Sequence, residues 1–257
     1  MLKVATWNVN SLNVRLPHVL AWCATARPDV LALQETKMVD EKFPVGELSE
    51  AGYESVYAGQ KTYNGVAILS RSGPGTEVVS EVPGLDSPER RVLAATVSGV
   101  RIIDLYVVNG QEVGSEKYAY KLEWLARVRD WLAGEMRRHE NLLVMGDFNI
   151  APEDRDVHDP EAWKERILCS TPEREALESI LDLGLSDVFR QFDQPEPSFS
   201  WWDYRQAAFR RNMGLRIDLV LASKAMSDKC TAAWIDVEPR RQERPSDHTP
   251  VVAEFAL

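Results

Sequence analysis

Short apolar runs rich in β-branched residues recur along the 257-residue chain, and most of them stop at a polar or acidic side chain. Residues 4–7, 30–33, 66–69, 92–97, 101–108, 142–145, 217–222, 232–237 and 251–255 each read as a strand by length and composition. A few longer stretches between them carry a helical period. Residues 12–26 form one, with Ser11 as its N-cap. Residues 115–138 give the clearest, since Tyr118, Leu122, Leu125, Val128, Leu132 and Met136 recur at three- and four-residue spacing along one face. A third, residues 173–183, runs into Gly184, which suits a helix stop. Many strands and few long helices predict stacked sheets covered by helices. No repeat, low-complexity tract or long linker divides the chain, so residues 1–257 are read as a single domain.

Composition narrows the class. A chain of this length buries enough surface to fold without a disulfide or a structural metal. Cys23, Cys169 and Cys230 are odd in number, far apart and in no CxxC pair. That argues against a zinc ribbon or a disulfide framework and fits a reducing compartment. The start, Met1-Leu-Lys-Val-Ala-Thr-Trp-Asn8, lacks a signal peptide's apolar core, and no apolar run reaches membrane-spanning length. A soluble cytoplasmic protein is expected. It is expected to be a monomer, because neither a heptad pattern nor a large apolar patch declares itself. The net charge of −10 argues against nucleic acid, because phosphate contacts need Lys and Arg. The distribution argues the other way. Arg205, Arg210, Arg211 and Arg216 fall in an acid-free stretch, and Arg240, Arg241 and Arg244 follow.

The most informative positions are those just after the strands. Residues 4–7 lead into Asn8 and Asn10. Residues 30–33 lead into Gln34 and Glu35. Tyr106 and Asn109 follow the run that starts at Arg101, and Asp147, Phe148 and Asn149 follow residues 142–145. Asp218 lies beside Ile217, and Asp247-His248 precedes the last strand. Each alone has an ordinary reading as a turn former, a cap or a solvated charge. Together they form a set with complementary chemistry at strand ends, where rigid elements hold polar groups at a cleft. Oxygen donors without thiolates suit Mg²⁺ or Mn²⁺. His248 titrates near neutrality, and a neighbouring aspartate can fix its charge or tautomer. Metal, basic side chains and a water-orienting carboxylate are what phosphoryl transfer requires. A serine hydrolase fits less well, because there is no GxSxG and Ser246 directly abuts Asp247-His248.

These residues also carry a resemblance. Thr6-Trp7-Asn8-Val9-Asn10, Leu33-Gln34-Glu35-Thr36-Lys37, Gly65-Val66-Ala67-Ile68-Leu69-Ser70, Gly146-Asp147-Phe148-Asn149, the stretch Asn212 to Asp218, and Ser246-Asp247-His248-Thr249-Pro250 occur in that order. The sequence resembles the exonuclease III family of abasic-site endonucleases, within the DNase I-like fold. The resemblance implies a four-layer α/β sandwich, two mixed β-sheets packed face to face and flanked by helices. It also implies roles. Glu35, helped by Asn8, is the principal metal site, with Asp247 near the metal. Asp147 orients or deprotonates the attacking water, with Asn149 beside it. His248 contacts the phosphate and Asp218 is its partner. Tyr106 contacts the phosphate, and Asn109 lies at a polar phosphate or water contact. Asn10 and Asn212 belong with the substrate-binding group.

The resemblance implies double-stranded DNA as substrate, at an abasic site, a nick or a 3′ end, in base excision repair. Trp201 would pack against a base-free sugar and Leu215 would form another wall of the pocket, with Arg210 and Arg211 contacting phosphates. Side-chain alternation turns Trp201 and Trp202 to opposite faces, so one of them is expected in the core. The loop 154–169, with His158, Trp163, Lys164 and Arg166, is expected to border the DNA near the cleavage point. The alternative is a phosphodiesterase of the same fold acting on a lipid or inositol phosphate. That reading calls for an exposed apolar loop or a basic amphipathic helix, and neither is evident.

Overall fold

A computed structural model describes residues 1–85 and 87–257. Among the described residues fourteen strands make two six-stranded sheets and one two-stranded ribbon. The first sheet contains β1 (Leu2–Asn8), β2 (Val30–Gln34), β3 (Glu54–Ala58), β4 (Val66–Ser70), β13 (Cys230–Ile235) and β14 (Val251–Phe255), in the order β13-β14-β1-β2-β4-β3. The second contains β5 (Thr76–Val79), β6 (Val92–Val97), β7 (Val100–Tyr106), β8 (Leu142–Asp147), β9 (Leu185–Asp187) and β12 (Asp218–Ser223), in the order β5-β6-β7-β8-β12-β9. The ribbon pairs β10 (Trp201–Trp202) with β11 (Gly214–Leu215). The helices are α1 (Leu12–Ala26), α2 (Val45–Glu50), α3 (Glu116–Arg138), α4 (Pro160–Trp163), α5 (Thr171–Leu181) and α6 (Lys224–Ser227).

Strand alternation sorts the apolar residues into layers. Val4, Ala32, Ile68, Ile102, Met145 and Val220 face the space between the sheets. Their neighbours Ala5, Trp7, Leu31 and Leu33 turn outward to meet Val19 and Trp22 of α1. On the other side Ile103, Leu105, Val144 and Leu219 meet Trp124, Val128 and Leu132 of α3. The result is the expected helix–sheet–sheet–helix sandwich.

Every expected strand and helix is present, with adjusted ends. The strand at 101–108 stops at Tyr106, where the Val107 N–H bonds to Asp147 O at 2.9 Å. The helix at 173–183 starts earlier and ends sooner, because Ser170 and Glu173 form a reciprocal capping box around Thr171 and Pro172. Ser11 holds the N-cap position of α1 without capping it. Its φ of 89° turns the side chain away, and its N–H donates to Glu35 O at 2.8 Å. The face of α3 also differs from the expectation. Leu122 and Met136 are only half-buried, while Lys121 and Glu135 are buried beside the apolar residues. Glu135 pairs with Arg101 at 2.7 Å, and Lys121 pairs with Glu173.

One polar group lies between the sheets. Asp104 of β7 accepts a hydrogen bond from Gln34 Nε2 of β2 at 2.7 Å, and the same amide reaches Thr6 Oγ1 at 2.9 Å. Asp104 Oδ2 and Gln34 Oε1 have no partner. Burial holds the Asp104 carboxyl well above the ordinary range, against the hydrogen bonds from Gln34 and the Ala67 backbone. The fold therefore favours the neutral acid. As pH rises, the unfolded chain ionises first and stability falls. Asp104→Asn keeps an acceptor for Gln34 and cannot ionise. Its stability relative to wild type should grow as pH rises above the ordinary carboxyl range near about 4, read in urea denaturation. Parallel pH dependences in the two proteins would refute a neutral Asp104.

Candidate active site

Two parallel pairings build the site. β1 and β2 run in the same direction, as do β7 and β8, so each pair delivers its C-terminal residues to one edge. Asn8 lies opposite Gln34, with Glu35 one residue further on. Tyr106 lies opposite Asp147, and antiparallel β12 places Asp218 against Asp147 from the other side. Clefts beyond the carboxyl ends of parallel strands are where sheets of this kind hold ligands.

Asn8 joins the two edges. Its Nδ2 donates to Glu35 Oε1 and to Asp147 Oδ2, each at 2.9 Å. Its Oδ1 accepts from Asn10 N at 3.0 Å, and Ser246 Oγ donates to its backbone oxygen at 2.7 Å. Glu35, at a φ of 55°, also accepts from Tyr106 OH at 2.9 Å and from Lys37 Nζ at 2.7 Å. Burial pushes the Glu35 pKa up, but Lys37 and Asn8 outweigh it and hold the carboxyl below its ordinary range. Lys37 Nζ also donates to Asn10 Oδ1 at 2.6 Å.

Asp147 is buried. Its Oδ1 accepts from Asn149 N at 2.9 Å, and its Oδ2 accepts from Asn149 Nδ2 at 3.3 Å as well as from Asn8. Burial raises its carboxyl to about 7, with His248 and Asn8 pulling downward and Asp218 and Glu35 upward. His248 Nδ1 lies 2.9 Å from Asp218 Oδ2, and its Nε2 lies 3.7 Å from Asp147 Oδ2. Burial lowers the imidazole pKa, but Asp218 and then Asp147 overcome this and bring it to about 10. The ring is thus held as a cation. Ser200 fixes Asp218, donating to its Oδ2 at 2.6 Å while accepting from the Ile217 and Asp218 amides at 3.1 Å.

The outer residues hold these in place. Asn149 Nδ2 donates to Val107 O at 3.0 Å, and its Oδ1 accepts from Asn109 Nδ2 at 3.1 Å. Asp247 accepts from Asn10 Nδ2 and from Trp201 Nε1, both at 3.0 Å. The Arg91 guanidinium stacks 4.7 Å from the Tyr106 ring centre.

The donor chemistry fits a hard divalent cation at Glu35. Glu35 and Asp247 offer carboxylate oxygens, Asn8 steadies Glu35 through its Nδ2, and the Lys37 ammonium already on Glu35 shows that positive charge is favoured there. Asp147, Asp218 and His248 also place ligand atoms within 4.8 Å of one another. Their atoms are engaged with each other and with Ser200. We read that second group as an acid–imidazolium cluster.

The remaining substrate-side residues divide. Trp201 is half-buried and joins the cluster through Asp247. Leu215 is fully buried beneath it with Val157 and Ile217, so it supports the Trp201 wall from behind rather than facing a ligand. Trp202 turns the other way, into a cluster with Phe199 and Ala208, and its Nε1 donates to Asn212 at 3.2 Å. Arg210 and Asn212 line a cavity of about 680 Å³ with Trp202 and Phe209, which none of the catalytic residues borders. Arg211 is exposed. A wider cleft of about 980 Å³ meets the site at Asn109 and Arg91. In the 154–169 loop His158 and Trp163 stack edge to face at 6.2 Å, while Lys164 and Arg166 are exposed. Sequence reasoning missed Lys37, Ser200 and Arg91. Of these, only Lys37 had a local signal, its position two residues after Glu35.

The charge state of His248 can be measured directly. Its folded pKa lies above the unfolded one, so the stability it contributes is complete below about 6.5 and lost as pH rises toward about 10. In histidine NMR titrations its ring should stay protonated through neutrality, and Asp218→Asn should lower the midpoint by more than about one unit. An ordinary midpoint near 6.5 in the wild-type protein would rule out the imidazolium.

The chain is similar to known proteins along nearly its whole length. Residues 5–248 match the model of the endonuclease/exonuclease/phosphatase family. Exodeoxyribonuclease III of Haemophilus influenzae is 33% identical, covering 99% of this chain and 100% of its own. The structure of the 3′ phosphatase NExo from Neisseria, bound to a product DNA hairpin, is 50% identical and superposes with a TM-score of 0.97 over 100% of both chains. An AP endonuclease from Archaeoglobus fulgidus is 38% identical with a TM-score of 0.95, again over 100% of both chains.

Proposed function

Because the chain belongs to the endonuclease/exonuclease/phosphatase family, we propose that it is a DNA repair nuclease of one catalytic domain, dependent on Mg²⁺ or Mn²⁺. In this reading it hydrolyses phosphoester bonds of duplex DNA at abasic sites and at 3′ ends, as a monomer. The observation that carries it is the Asn8 amide bound to both Glu35 and Asp147, with the His248 cation alongside. That arrangement sets an anion-tolerant centre beside a buried base. Named relatives include an exodeoxyribonuclease III, an AP endonuclease and a 3′ phosphatase. Among the described residues no helix is long and apolar enough to cross a membrane.

Each side chain then has a task. Glu35, with Asp247 and Asn8, would hold a divalent cation whose charge offsets that developing on the phosphate and the leaving oxygen. Asp147 Oδ2 takes a proton from the attacking water, and a carboxyl near 7 suits a base working at neutral pH. Asn149 keeps Asp147 oriented through two hydrogen bonds. His248 Nε2 donates to a phosphate oxygen, its ring held by Asp218. Tyr106 OH adds a second donor at the Glu35 side. Trp201 gives a flat apolar wall that accepts a base-free sugar.

Three labelled duplexes in Mg²⁺, with an EDTA control, test this reading. One carries an abasic site, one a nick with a 3′-phosphate, and one a recessed 3′-hydroxyl. Metal-dependent processing is expected on all three, and no reaction on any would overturn the nuclease assignment. Asp147→Asn should bind the same duplexes as tightly as wild type, with kcat lower by on the order of a hundredfold or more. Full turnover in that variant would remove Asp147 from the chemistry.

A further inference from the structure

Lys121 lies on the face of α3 that packs against the second sheet, and its side chain is completely buried. An ammonium has three N–H donors. All three are used here, one on Asn149 O at 2.7 Å, one on Asn109 O at 3.1 Å and one on Glu173 Oε1. Two of the three acceptors are backbone oxygens of residues whose side-chain amides meet inside the site. Asn149 has a φ of 49°, in the left-handed region that asparagine tolerates better than most side chains. The chain at Gly110 lies directly on the lysine stem, where an added Cβ would sit 3.0 Å from Lys121 Cδ.

Glu173 extends the link. Its oxygens accept from Leu168 N at 3.1 Å, from Ser170 N at 3.1 Å and from Ser170 Oγ at 2.6 Å. The Ala151 N–H bonds to Leu168 O at 2.8 Å, so the segment after Asn149 returns to the same point. A buried ion pair is weak evidence for stability, because apolar residues of similar volume fill such space as well or better. Its directional contacts are what an apolar pair could not reproduce.

We propose that Lys121 is a positioning residue for the reaction. It holds the main chain of Asn109 and Asn149 so that the Asn149 side chain keeps Asp147 aimed at the attacking water. Glu173 couples that position to the 151–170 segment. The inference rests on the nuclease reading above.

Lys121→Met alone strands the Glu173 charge, so lost folding could hide lost positioning. The double variant Lys121→Met/Glu173→Gln removes both charges together. It should melt near the wild-type temperature and bind nicked 3′-phosphate duplex with the same Kd. Its kcat should fall by about a hundredfold with KM unchanged, the size expected when a reacting group moves by an ångström. Hydrogen exchange in peptides covering residues 107–112 and 147–152 should rise in the double variant, whatever the activity. A wild-type kcat in the folded double variant, or unchanged exchange in both peptides, overturns the proposal. A wild-type protein without nuclease activity, alongside raised exchange in the variant, overturns the nuclease reading and leaves the structural tie standing.

Discussion

One side-chain amide joins the chemistry of the two sheets. Asn8 at the end of β1 touches Glu35 from its own sheet and Asp147 from the other. Asp218 lies beside Asp147 across the strand pairing, Asp247 lies next to His248, and like charges so near one another repel. The protein offsets that repulsion with fixed donors and cations. Asn8 serves Glu35 and Asp147, Lys37 neutralises Glu35, and the imidazolium of His248 lies between Asp147 and Asp218. In such an arrangement the donors and charges are oriented by the fold itself.

This site depends on register more than on loop shape. Side chains alternate along a strand, so a slip of one residue in β1 would turn Asn8 away from the Glu35 carboxylate. The slip is opposed by the apolar pattern of the same strand. Val4 and Thr6 face the inter-sheet space, while Ala5 and Trp7 face α1. The packing that stabilises the sandwich also fixes the catalytic geometry, and Trp7 adds a hydrogen bond from its indole to His248 O at 3.3 Å.

Buried charges set the loops that packing leaves undetermined. Arg216, in the short link between β11 and β12, binds Asp156 and Asp187, and Arg190 joins the same Asp156. This ties the loop after Asn149 to the ribbon that carries Trp201. Lys121–Glu173 does the same on the other side of that loop. Breaking one partner of such a pair costs about 3–5 kcal/mol, because the other charge is left buried and alone.

The sequence by itself determined the elements with strong local signals. The apolar runs from Val4 and from Leu142, the period of α3 and the polar residues closing each strand were all legible. So were the side chains that the fold gathers at the strand ends, among them Asn8, Glu35, Tyr106, Asp147, Asn149, Asp218 and His248. The short or edge strands 54–58, 76–79, 185–187, 201–202 and 214–215 were not, because so few residues carry no period and their pairing comes from neighbours. Lys121 and Glu135 were passed over for the same kind of reason. A charged residue on a helix is ordinarily solvated, and only partners far away in the chain, Glu173 and Arg101, make burial tolerable. Arg210 shows the reverse, a substrate-side candidate that the fold turned toward a separate cavity. What only the tertiary structure decided is which atoms meet. Asn8 and Asp147 stand 139 residues apart. Their hydrogen bond follows from sheet packing and strand register, long-range constraints that no local propensity encodes.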